Sequence, residues 1–145
     1  MQVQPYLYFD GKTEEALKFY ADKLGAKVEV MLRFSDAPKG SMPAEGSPGG
    51  PPPGSAGKVM HSNFRIGDTQ IMASDGMCGG SAEFKGISLT ITVPEEKEAE
   101  RLFAAITSDG GKVQMPMTET FFSTRFGMGA DKFGVNWMIL GKPKQ

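Results

Sequence analysis

The chain has 145 residues, a formal net charge of -1 and a pI of about 5.9. That length suits one domain able to bury a core without disulfide or metal staples. The mixed, nearly balanced charge offers no basic stripe for phosphates and excludes a nucleic-acid partner. A single cysteine, Cys78, cannot form an internal disulfide, no run of about eighteen apolar residues occurs, and residues 1–12 lack a signal-peptide pattern. A cytoplasmic protein without membrane contact is therefore expected.

Val3 to Phe9 is rich in β-formers and closes on Asp10-Gly11, which predicts a first strand. Val3, Pro5, Leu7 and Phe9 share one face, and Pro5, which cannot donate to a ladder, pushes the strand to a sheet edge. Thr13 is placed to cap a helix whose first turn carries Glu14 and Glu15; Ala16, Leu17, Tyr20 and Leu24 form its apolar stripe and Gly25 its stop. Lys27 to Phe34 alternates as a second strand, with Val28, Val30 and Leu32 on one face.

Residues 35–57 hold six of the ten prolines, six glycines and no aromatic residue. Such a stretch buries little apolar surface and is expected to be a mobile excursion; a lid over a cleft and tolerated surface are both open readings. Lys58 to Ile66 and Thr69 to Ser74 form a predicted hairpin across Gly67-Asp68. His61, Asn63 and Arg65 lie on one face of its first strand, and Met60, Ser62, Phe64 and Ile66 on the other. Asp75 to Glu83 reads as a glycine-rich connection.

Gly86 to Val93 alternates cleanly and opens a second half. Pro94 sits near the start of a helix with the stripe Ala99, Leu102, Phe103 and Ile106, ended by Gly110-Gly111. Lys112 to Met117, Phe121 to Phe126 and Val135 to Leu140 are the remaining predicted strands. The second half repeats the first: Glu15, Ala16, Lys18, Phe19 and Tyr20 return 83 residues later as Glu98, Ala99, Arg101, Leu102 and Phe103. The expected fold is α+β, one domain of two βαβββ halves, about residues 1–75 and 84–141.

A duplicated βαβββ unit with EALKFYADKLGA in its first helix resembles the vicinal oxygen chelate superfamily of glyoxalases, bleomycin-resistance proteins and extradiol dioxygenases. His61-Ser62-Asn63, Ile71 to Asp75, Glu119 to Phe122 and Asp131 to Ile139 resemble its PhnB-like branch, across essentially the whole chain. The resemblance implies curved mixed sheets around a cleft, often completed by a homodimer partner. It also implies a divalent metal held by one residue on the first and the last strand of each half. Carried onto this chain, those positions are Pro5, Met72 (with Ser74 as the near alternative), Ser88 and Met138. Proline has no ligand atom, serine is a poor ligand and a thioether is too soft, so no metal and no cofactor are expected there.

Among other candidates, His61 is the only histidine, a possible general base or sole metal ligand, or a hydrogen-bonded residue of a cleft rim. Asp75 and Asp131 suit either an acid/base pair or, since both precede glycine-containing turns, acceptors for turn backbone. Arg125 suits an anionic ligand or an ordinary ion pair. Cys78 has no cationic neighbour in sequence and reads as incidental. The strand methionines and Phe121, Phe122, Phe126 and Trp137 suit a pocket lining or a core. A methyltransferase activity finds no glycine-rich strand-to-helix turn of the kind nucleotide-like cofactors use.

The preferred reading is a metal-independent small-molecule binding protein, with Pro5, Met72, Ser88, Arg125 and Met138 lining the cleft. The alternatives are a glyoxalase-, dioxygenase- or transferase-like enzyme with a metal site relocated to His61 and the aspartates, and a dimer that binds no ligand.

Overall fold

The computed structural model describes residues 1–76 and 81–144, so the Cys78 reading lies outside the described residues. The chain divides into two compact units, Met1–Ala82 and Glu83–Gln145.

In the first unit, β1 (Tyr6–Tyr8), α1 (Thr13–Leu24), β2 (Lys27–Arg33), β3 (Val59–Ile66) and β4 (Thr69–Ser74) build a four-stranded sheet in the order β1-β4-β3-β2. β1 runs parallel to β4 and the other pairs are antiparallel. The first strand is shorter than the predicted Val3 to Phe9. Pro5 has no N–H for the ladder, and Val3 is 93% exposed. α1 covers one face of the sheet: Tyr20 stacks on Phe64 at 5.9 Å, and Leu7, Phe64, Ile71 and Ala73 are buried beneath it. Ser62, the polar residue on this face, is satisfied by donating to the Ala73 carbonyl at 2.7 Å. Gly25 ends α1 in the left-handed region at φ 67°, as the stop signal predicts. Phe19 is buried where Leu24, in the predicted stripe, is only half-buried.

The second unit repeats the plan. β5 (Leu89–Thr92), α2 (Glu96–Ile106), β6 (Lys112–Thr118), β7 (Phe126–Ala130) and β8 (Asn136–Leu140) form a sheet in the order β5-β8-β7-β6, again with the first strand parallel to the last. All four stripe residues of α2 are buried, as are Trp137 and Ile139 of β8.

One predicted strand is misplaced. Phe121 to Phe126 contributes only an isolated bridge at Ser123, and the strand proper begins at Phe126 and runs through Gly127 and Gly129. Glycine is a poor strand former on propensity alone. Here α2 decides: a Cβ on Gly127 would meet Met117 Sδ at 2.5 Å and the Phe103 ring at 3.0 Å. One on Gly129 would meet Thr107 Cγ2 at 2.6 Å and the Lys112 carbonyl oxygen at 2.9 Å. The glycines let the helix approach the sheet closely.

The register also shows how the repeat is built. Tyr6 pairs with Met72 and Leu7 with Ala73, while Thr90 pairs with Met138 and Ile91 with Ile139. Aligning Met72 with Met138 thus equates Tyr6 with Thr90, an offset of 84, whereas the helices keep the offset of 83. The β1–α1 connection is one residue longer than a uniform offset would make it.

Gly129→Ala is expected to destabilise the protein by about 1–3 kcal/mol, because a backbone carbonyl and a packed threonine must both shift. Urea unfolding followed by Trp137 fluorescence measures the loss.

Candidate functional site

The helix-facing side of the first sheet is filled; the opposite side carries the polar and aromatic residues. Direct strand partners point the same way, so Tyr6, Met72, Asn63 and Val30 form one cross-strand row, and Tyr8 and Ser74 begin the next. Over the β1 end of this face lies a cavity of about 560 Å³. Tyr6, Tyr8, Met60 and Ser74 line it from the sheet, Asp10 and Gly76 from the strand ends, and Phe34, Met42 and Gly49 to Pro52 from the long connection.

That connection is not a featureless excursion. Turn hydrogen bonds run through it, among them Gly46 N–H to the Pro51 carbonyl at 2.8 Å and Ser35 N–H to the Ala56 carbonyl at 2.9 Å, and Ser55 is buried. Its proline and glycine content builds a wall of turns. Gly76, at φ 56°, is required beside the cavity, since a Cβ there would meet Tyr8 Cδ1 at 2.8 Å.

His61 lies on the same face. Its Nδ1 is 3.1 Å from the Tyr6 hydroxyl and its Nε2 is 3.1 Å from Asn63 Oδ1. With Asn63 Oδ1 accepting from Nε2–H, Nδ1 is the acceptor and Tyr6 donates to it. The histidine therefore fixes the orientation of Tyr6. The Tyr6 and Tyr8 rings follow at 5.0 Å with a 34° tilt.

The two aspartates serve backbone. Asp75 is 2% exposed; its Oδ1 accepts from Gly11 N–H at 2.8 Å, Thr13 N–H at 3.0 Å and Thr13 Oγ1 at 2.6 Å, and its Oδ2 from Val59 N–H at 2.8 Å. Thr13, expected to cap α1, instead donates to Asp75, which serves the helix start from the end of β4. Burial alone would raise the Asp75 pKa, but the Thr13 hydroxyl and the three N–H donors outweigh it and hold the pKa below the usual carboxylate value. Asp131 Oδ1 accepts from Phe133 N–H at 2.8 Å and Val135 N–H at 3.1 Å, and its Oδ2 from Trp137 Nε1–H at 2.9 Å. The Asp131 contacts match the turn-acceptor reading; Asp75 also accepts from backbone, but from Gly11, Thr13 and Val59 rather than from its own Asp75-Gly76 turn.

The remaining candidates fall as follows. Pro5 precedes β1, and its carbonyl accepts from Met72 N–H at 3.0 Å; on strand parity it lies on the Leu7 side, so Tyr6 rather than Pro5 stands beside Met72. Ser88 is exposed just before β5, and Met138 is half-buried between Thr90 and Met128. Arg125 Nη2 pairs with Glu100 of α2 at 2.9 Å, and its Nε is buried without a partner. Phe126 and Trp137 belong to the core, while Phe121 is 91% exposed. The sequence reading missed Tyr6 and Tyr8 as site residues, although their alternation against Leu7 and Phe9 was the available signal.

The architecture, two helices and two four-stranded mixed sheets, is that of the glyoxalase/bleomycin-resistance fold. Solved proteins of that class only 12% to 18% identical share it. The chain belongs to the PhnB-like family, whose family model, described as 3-demethylubiquinone-9 3-methyltransferase, matches residues 1–140. It is 37% identical over 141 residues to Protein YjdN of Escherichia coli K12, covering 96% of this chain and 94% of that one. The crystal structure of protein PA1353 from Pseudomonas aeruginosa is 38% identical, with a TM-score of 0.81 and 98% of each chain covered. The PhnB protein from Bacillus cereus is 25% identical, with a TM-score of 0.75 over 97% of this chain and 99% of its own.

Replacing Asp75 by alanine leaves three N–H groups and a hydroxyl unpartnered and is expected to cost at least about 3 kcal/mol. Because the folded-state pKa is depressed, the contribution of Asp75 is present above about pH 4 and is lost as pH falls through the folded value. Urea titrations from pH 7 to 2 should show a shallower acid decline in Asp75→Asn than in the parent.

Proposed function

We propose that the protein binds a small molecule in the cavity on the open face of the first sheet, without a metal. The carrying observation is the cavity itself. Its volume of about 560 Å³ lies inside the range of small-molecule sites, and its wall combines three aromatic residues and two methionines with a glycine/proline stretch and the polar Asp10 and Ser74. Tyr6 is held by His61, so one aromatic anchor is preorganised. Preorganisation lowers the entropic cost of binding.

Two observations support the metal-free reading. The positions implied by the family resemblance carry Pro5, Met72, Ser88 and Met138, and the residues that the strand register sets beside Met72 and Met138 are Tyr6 and Thr90; none is a histidine or a carboxylate. Among the described residues, no three histidine, cysteine, aspartate or glutamate side chains gather closely enough to hold an ion. A site relocated to His61, Asp75 and Asp131 is disfavoured because the oxygens of both aspartates already accept backbone or side-chain donors.

Self-association completes the proposal. Val30 and Leu32 of β2, paired with Asn63 and His61 on the open face, are 38% and 41% exposed, and Val28, across the bulge, is 43% exposed, apolar surface that a second copy would cover. No helix among the described residues is long and apolar enough to cross a membrane, and a cytoplasmic setting is proposed from the single cysteine.

The test is equilibrium titration with the neutral fluorescent probe N-phenyl-1-naphthylamine, alongside thermal unfolding. Saturable binding that raises the melting temperature is expected, and it should weaken about tenfold in Tyr8→Ala, a change at a 57% exposed position that the fold tolerates. Unsaturable binding, or binding indifferent to Tyr8, would overturn the assignment of the cavity. Calorimetric titration of untagged protein with nickel, zinc, manganese and iron is expected to show no tight one-to-one site; such a site would restore the metal-dependent enzyme.

A further inference from the structure

We infer that the cavity is built for an organic cation, an amine or quaternary ammonium carried on an apolar body. The inference rests on the reading of the cavity as a ligand site and adds the charge of the ligand. Three aromatic residues, Tyr6, Tyr8 and Phe34, share the wall with two methionines, Met42 and Met60, and the charged residue of the lining is acidic, Asp10.

Each part has a physical reason to favour a cation. The faces of tyrosine and phenylalanine rings carry negative quadrupolar charge, and an ammonium over them is attracted more strongly as it is desolvated. Tyr6 and Tyr8, two residues apart on β1, stand side by side with ring centroids 5.0 Å apart and planes tilted by 34°, making a two-ring wall. The wall is fixed at both ends: His61 engages the Tyr6 hydroxyl, and the absent Cβ of Gly76 lets the Tyr8 ring lie close against the backbone. Thioethers are polarizable and suit the methyl groups of an alkylammonium. Asp10 sits at φ 53°, in the left-handed region that aspartate and asparagine enter more readily than other side chains. Asp10 thus stands in the wall at the head of the β1–α1 turn. Lys58 lies near Gly11 but is exposed and outside the cavity wall. An anionic ligand would meet a wall of aromatic residues and an aspartate, with no lysine or arginine among the lining residues to receive it.

Three matched probes test this on the full-length protein: (2-naphthylmethyl)trimethylammonium, neutral 2-naphthalenemethanol and anionic 2-naphthylacetate, each titrated by calorimetry and by NMR at 0.15 M salt. The expected order is cation, neutral, anion, with the cation bound at least about tenfold more tightly than the anion. Asp10→Asn, which keeps the left-handed backbone accessible, should weaken the cation about fivefold and leave the alcohol unchanged. Tyr8→Leu, which keeps apolar bulk and removes the ring, should weaken the cation more than the alcohol. Equal or tighter binding of the alcohol or the anion, or an Asp10→Asn variant that weakens all three alike, would overturn the cation inference while leaving the cavity a ligand site. Failure of all three probes to bind would overturn both.

Discussion

The carboxylate of Asp75 ties the first unit together. It stands at the end of β4, and its four accepted hydrogen bonds reach the start of α1, the turn before it and the first residue of β3. Three pieces of backbone distant in sequence are thereby brought to one point. Buried N–H groups demand partners, and a single buried anion satisfies several at once. The same tie fixes the β1–α1 turn, and with it Asp10 and the neighbouring Tyr8, at the edge of the cavity. Asp131 plays a comparable part in the second unit, where it closes the turn before β8 and anchors Trp137.

Helix packing supplies the second constraint, and the units meet it differently. In the first, an aromatic pair, Tyr20 on Phe64, fills the space between helix and sheet. In the second, Phe103 of α2 presses on Gly127 and Gly129, so the sheet gives up side chains to receive the helix. Interiors are close-packed, and volume taken by one element must be absent from its neighbour. Duplication preserved the plan of the unit while this exchange of volume was settled separately in each copy.

The open face of the first sheet is where these constraints leave chemistry free. The helix consumes Leu7, Ile71, Ala73 and Phe64, and strict alternation sends Tyr6, Tyr8, Met72 and His61 to the other side. A long connection between β2 and β3 then returns to wall that side with turns. Membership of the PhnB-like family describes the scaffold. Under the proposed reading, what the cavity would accept is set by these side chains, because function belongs to the site rather than the fold.

Periodicity and the internal repeat determined the α+β plan, the two helices and their buried stripes, and the left-handed stop at Gly25, because each depends on neighbours within a few residues or on a pattern written twice. The resemblance to the family, not periodicity, implied metal positions at Pro5, Met72, Ser88 and Met138. Contacts over long sequence separations were decided by tertiary structure alone. β7 forms through two glycines because α2 needs their space. Asp75 replaces Thr13 as the partner of the α1 start because β4 ends there. The parallel β1–β4 register puts Tyr6 rather than Pro5 beside Met72, and with the matching β5–β8 register it sets the first strands at an offset of 84, one more than that of the helices. The segment of residues 35–57 offers no periodicity to read, since its proline and glycine turns acquire a purpose only against the sheet that they face.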